Sequence, residues 1–111
     1  MITAGDLDQR IMVRRSVEIG RNEFGEPIYE VVELATVWAS RIDVSDAEKY
    51  AAGAIGNVLL SRFVVRSTSV TRGIKHSDTL DHDDAEWNID GIKKTRDGRN
   101  RFLEITAKTG G

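Results

Sequence analysis

The residues with the most obvious chemistry in this 111-residue chain sit in one polar stretch. His76 and His82, the two histidines, lie among Asp78, Asp81, Asp83 and Asp84. Imidazoles and carboxylates together can hold a metal ion. The spacing, however, matches neither H-E-x-x-H nor the ligand order and glycine of an EF-hand. An aspartate-rich stretch more often turns the chain, because Asp side chains bond their own backbone. No metal ligand is assigned. There is no G-x-S-x-G, Walker or dinucleotide-binding glycine pattern. The chain has no cysteine, which excludes a thiol nucleophile, a disulfide and a thiolate metal site. The histidines have no evident nucleophile beside them. No catalytic or cofactor-binding residue follows, and the expectation is a protein that is not an enzyme and carries no cofactor.

Three other groups of residues could do binding work. Asp78, Asp81, Asp83, Asp84, Glu86 and Asp90 form an acidic segment, and Lys93, Lys94, Arg96, Arg99 and Arg101 follow as a basic one, interrupted by Asp97. Arg10, Arg14, Arg62 and Arg66 recur on the polar faces of two alternating segments. Arg21, Asn22, Glu23, Phe24, Gly25 and Glu26 form a loop with an aromatic residue in polar surroundings. Phe24 either folds back onto the core or meets a partner.

The elements that position these groups follow from periodicity. One face of 10–15 carries Ile11 and Val13, the other Arg10 and Arg14, as in a half-buried strand. In 28–44 the even positions hold Val32, Leu34, Trp38 and Ile42, predicting a long strand, or two meeting at a bend, with its large apolar residues on one side. Gly20, Gly25 and Pro27 mark the intervening segment, about 18–27, as a long loop. Ser45 and Glu48 fit a capping box, predicting a short helix over about 46–52. Leu59, Phe63 and Val65 define a further strand, with Arg62 and Arg66 opposite. Residues 67–84 read as turn-prone, with a short strand near Ile74. A strand runs through Trp87 and Ile89, Asp97-Gly98 signals a hairpin, and Leu103, Ile105 and Ala107 alternate in a final strand before a frayed C-terminus. Trp38 and Trp87 are both expected to anchor the core. The fold class is mainly β: a small antiparallel barrel of about six strands with one short α-helix, in a single domain over 1–111.

Composition narrows the function classes. With 16 basic and 18 acidic residues the net charge is -2, unlike the basic balance of a general nucleic-acid binder. The chain is too apolar for disorder. Its start lacks a basic and then apolar leader, and its apolar runs are shorter than a membrane span. A soluble, cytoplasmic chain is expected.

Four segments in order resemble phage head–tail joining proteins, also called head closure, stopper or connector proteins. They are Ala4-Gly5-Asp6-Leu7-Asp8-Gln9-Arg10-Ile11; Thr36-Val37-Trp38-Ala39 followed by Glu48; Phe63-Val64-Val65-Arg66; and Trp87 to Ile92 with Asp97 to Ile105. Ser67-Thr68 departs from the basic-aromatic pair that family often carries there.

The resemblance implies a structural virion protein, of a phage or a prophage, that assembles in the host cytoplasm and takes its place at the head–tail connector. It implies a dodecameric ring of this chain under the portal or adaptor protein, closing the channel to packaged DNA and offering a platform to the tail terminator, with no membrane involved. A ring needs two different patches on each subunit, and the opposed charges at Asp81, Asp83, Asp84, Glu86, Lys93, Lys94, Arg96 and Arg99 could supply them. They could equally pair within one subunit, since surface pairs contribute only about 0–1 kcal/mol each. Residues 21–26 would narrow the channel. Arg10, Arg14, Arg62 and Arg66 would touch DNA or a neighbouring ring, or be ordinary solvated strand faces. The alternatives are a tail-completion or adaptor protein at another level of the connector, and an oligonucleotide-binding barrel, disfavoured by scarce aromatics.

Overall fold

The computed structural model describes residues 4–45, 59–95 and 101–109. After a 3-10 turn at Ala4–Asp6 come β1 (Gln9–Arg21), β2 (Pro27–Asp43) and β3 (Leu59–Arg66). A second 3-10 turn at Thr71–Gly73 leads into β4 (Thr79–His82), β5 (Ala85–Lys94) and β6 (Phe102–Thr109). The strands lie in the order β1-β2-β3-β6-β5-β4, all neighbours antiparallel. β1 also pairs with β4, Met12 to Asp81 through Arg14 to Thr79, so the sheet closes on itself as a barrel. The expected helix at 46–52 and the Asp97-Gly98 turn lie outside the described residues.

The interior follows the period of two. Ile11 and Val13 of β1, Phe63 and Val65 of β3, Leu80 of β4, Trp87 and Ile89 of β5, and Leu103, Ile105 and Ala107 pack together with Ala39 and Ile74. Phe63 sits edge-on to both Trp87 and His82, with ring centroids 5.3 and 5.5 Å apart, the offset geometry that aromatic quadrupoles favour. Outside the barrel, Leu7, Val64 and Phe102 form a second small cluster. Through it the N-terminal turn covers the outer side of β3 and β6.

Three expectations need correction. Residues 18–27 are not a long loop. β1 continues to Arg21 and β2 begins at Pro27, leaving a tight turn at a hairpin tip. The polar stretch 67–84 hides a strand at Thr79–His82 rather than near Ile74, joined to β5 by a two-residue turn. Asp83 and Asp84 there take φ of 56° and 58°, the left-handed pair that such turns require.

The third correction concerns β2. Its large apolar residues face out. Direct partners share a face, and Ala39 and Arg41 lie opposite the inward Val65 and Phe63, while Val37 lies opposite the inward Ile11. Val37, Ala39 and Arg41 therefore line the interior, and Trp38 and Ile42 point to solvent. The physical reason is volume. A small barrel has room for few bulky side chains, and Trp87, Phe63, Leu80 and Ile105 already fill it. Where they crowd, β2 contributes Ala39, and Arg41 lays its guanidinium 4.9 Å from the Trp87 ring centre.

Candidate assembly surface

β1 and β2 are longer than the barrel needs. Pairing of β1 with β4 ends at Arg14, and pairing of β2 with β3 begins only at Ala39. Beyond these points the two strands bond only to each other, up to Arg21 opposite Pro27. At about 3.3 Å per residue the hairpin projects roughly 20 Å, and the molecule reaches 53 Å in its longest dimension. Two register shifts, between Val13 and Arg14 and between Glu18 and Gly20, interrupt the ladder. Such bulges bend a strand and sharpen its twist.

A buried ion pair braces the arm at its root. The Arg15 guanidinium donates to both Asp78 carboxylate oxygens, Nε to Oδ1 at 2.8 Å and a second nitrogen to Oδ2 at 2.9 Å. It also donates to the Gly73 carbonyl at 2.9 Å, and the Lys75 backbone N–H donates to Asp78 at 2.8 Å. Burial alone raises the Asp78 pKa. The bonds from Arg15 and Lys75 outweigh it and hold the carboxyl below its ordinary value. The same bond pushes the Arg15 pKa up. The segment 71–78 is thereby fixed against β1.

The surface that results is apolar where a soluble monomer would be polar. Along the arm Ile19, Phe24, Ile28, Tyr29 and Val31 are exposed, and along the outer side of β2 Leu34, Trp38 and Ile42 join them. Phe24, at the tip, is 78% exposed and Trp38 51%. Apolar side chains strung this densely along one projection are unusual on a free protein surface and make it a candidate interaction site. Phe24 does not fold back onto the core, and Trp38 is not a core anchor. The sequence signal was present in both cases: a lone aromatic in a polar loop, and more large apolar residues on β2 than one small barrel can enclose.

The charged candidates are largely committed within the subunit. Arg14 bridges Asp81 at 3.1 Å and Glu33 at 3.7 Å. Arg41 reaches Asp83 at 3.7 Å. Arg62 and Lys93 share Glu104, at 3.5 and 3.4 Å. Arg10 lies 4.6 Å from the centre of the Trp38 ring. Asp84, Glu86 and Lys94 are exposed and make no ion pair among the described residues, as does Arg66; Arg96 and Arg99 lie outside those residues. The structure thus brings Arg14 to Asp81 and Arg10 to Trp38, and does not gather the four arginines into one patch. His82 donates its Nδ1–H to the Arg10 carbonyl, 3.1 Å away, and its own carbonyl accepts from the Trp87 indole, a packing role. No group of three metal-ligating side chains occurs among the described residues. None of their helices is long and apolar enough to cross a membrane.

Fold and surface together define a small closed barrel from which an apolar hairpin projects. The chain belongs to the phage head completion protein family, whose model matches residues 2–110. Membership carries a structural role in the phage virion. The fold is similar to that of protein SF1141 from Shigella flexneri 2a in solution, at 24% identity and a TM-score of 0.71, covering 99% of this chain and 98% of that one. It is also similar to a chain in the virion of a native gene transfer agent particle, at 20% identity and a TM-score of 0.65, covering 92% and 93%. These two likenesses are of fold. No curated protein is significantly similar to the chain.

Proposed function

We propose that this chain completes the filled head by forming a ring of copies, a dodecamer, under the portal or adaptor protein, where it closes the channel to packaged DNA and offers a seat to the tail terminator. The observation that carries the reading is the family match over nearly the whole chain. The exposed apolar arm and outer face of β2 support it, because a subunit that meets a different face of its neighbour needs two unlike contact surfaces. The near-balanced charge, -2 overall, suits a channel through which DNA must slide, since each neutralised phosphate adds salt-dependent grip. Of the four candidate arginines, Arg10 and Arg66 are exposed and make no ion pair among the described residues, and Arg10 lies over the Trp38 ring. In such a ring the Arg21–Glu26 tip either converges on the axis, where twelve copies would hold DNA, or is taken up in the contact between copies.

Complementation of DNA-filled heads made without this protein tests the reading. Adding the purified chain is expected to restore both DNA retention and tail attachment. Heads that hold DNA without it but need it to attach tails would move it to a lower level of the connector, as a tail adaptor. Failure to bind the heads at all would overturn the proposal.

A further inference from the structure

The hairpin tip and a groove elsewhere on the molecule are opposite in charge, and each has an apolar centre. The tip is held in one conformation. Asn22 Oδ1 accepts from the backbone N–H groups of Phe24 and Glu26, at 2.9 and 3.0 Å. The Arg21 side chain donates to the Gly25 carbonyl at 2.8 Å, and Gly25 sits at φ +79°, a conformation in which glycine is favoured. The turn presents Phe24 to solvent between Glu23 and Glu26, and neither carboxylate makes an ion pair among the described residues.

The groove, about 480 Å³, opens where β2 parts from β3 beyond the Ala39–Val65 pair. Leu7, Val37, Trp38, Arg66, Thr68 and Thr71 line it. Its far wall is rigid, since the Thr71 hydroxyl donates to the Arg66 carbonyl at 2.6 Å and accepts from the Thr68 N–H at 2.8 Å. The space is of the size that takes a small apolar ligand, and so can admit a phenyl ring. Arg66, exposed and without an ion pair among the described residues, stands at the groove, and Arg10 lies over Trp38 beside it.

We infer that the hairpin tip of one copy seats in this groove of the next, with Phe24 between Leu7, Val37 and Trp38 and the flanking glutamates against Arg66 and Arg10. The inference rests on the ring reading and supplies its contact. A knob and a socket on different parts of one subunit make a head-to-tail interface, which closes into a ring when the rotation allows. An aromatic anchor rimmed by complementary charge is also how tight protein contacts are commonly built. Because the turn is already ordered, little conformational freedom is lost on docking.

Because the chain has no cysteine, its contacts can be mapped by introducing pairs. Full-length chains carrying Arg66→Cys together with Glu23→Cys or Glu26→Cys would be added to DNA-filled heads made without this protein and treated with a short bismaleimide. At least one double variant is expected to give a ladder of covalent multimers. Mixing the corresponding single variants should give dimers only, which separates contact between copies from contact within one. Glu23→Lys with Glu26→Lys should weaken assembly on heads by about tenfold or more, the scale of a close interfacial charge pair, and Arg66→Glu should restore it. Heads that are closed by these chains while no ladder forms would overturn the inference and leave the ring reading standing. A cross-link to the portal or adaptor instead of to a second copy would overturn it as well. So would tip variants that still assemble but leak DNA, since the tip would then line the channel. If even the wild-type chain fails to bind heads, it is the ring reading that falls.

Discussion

The Asp78 carboxylate is 0% exposed at its side chain and meets a guanidinium that is one quarter exposed. A carboxylate so placed is stable only while its partner is present. Arg15→Ala leaves the charge buried and unpaired, and is expected to cost about 3 kcal/mol, read as a lower urea midpoint at unchanged slope. A midpoint equal to that of the wild type would show that the clamp contributes nothing. Because the Asp78 pKa is lower in the folded than in the unfolded chain, the pair's contribution is complete above the ordinary Asp value. It drains as pH falls through the folded value, that is, below about pH 4. Asp78→Asn should therefore narrow the stability difference between neutral and acid solution. The sequence held no local sign of this pair. Its members are 63 positions apart, and Asp78 stands in an acidic run where it resembles its neighbours. Only the closure of β1 onto β4 brings the two together.

At the scale of the element, β2 shows how a period of two can be read in the right phase for strand and the wrong phase for burial. Alternation over 28–44 located the strand correctly. It could not say which face is inside, because both faces carry apolar residues and the deciding quantity is the space left by the other five strands. Trp38 and Trp87 test the distinction directly. Trp87 is 1% exposed and packed edge-to-face with Phe63, so Trp87→Ala should destabilise the barrel by about 3–5 kcal/mol. Trp38→Ala should change stability little, as surface substitutions do, and should instead weaken docking onto heads. Equal losses of stability from the two variants would mean that the outer face of β2 is part of the fold rather than of an interface. Strand β4 escaped notice for a related reason. Four residues, two of them charged or titratable, give too short a run for periodicity, and its turn uses Asp83-Asp84 where the usual signal is a glycine.

For the whole molecule, the barrel and the arm answer to different constraints. Closure removes free edges around the barrel, and the buried clusters lie inside it and against its outer wall. The arm contributes no residue to either cluster, leaves both outer edges of its two strands without a third strand, and carries apolar side chains into solvent. Free edges and exposed apolar residues are liabilities that soluble proteins usually suppress. Their concentration in one projection is intelligible if another chain covers it. The projection could not be foreseen from residues 18–27 alone, because two glycines and a proline describe a turn equally well whether it closes a compact loop or caps a long hairpin. Removing residues 16–31 and joining Arg15 to Val32 through an Asn-Gly turn is expected to preserve a cooperatively melting barrel, since the β1–β4 and β2–β3 pairings and the Arg15–Asp78 clamp all survive. The same chain should fail to load onto DNA-filled heads, scored by sedimentation. If the shortened chain does not fold, the arm is part of the barrel's own stability; if it folds and still loads, the contacts with neighbours lie on the barrel wall and the arm serves some other end.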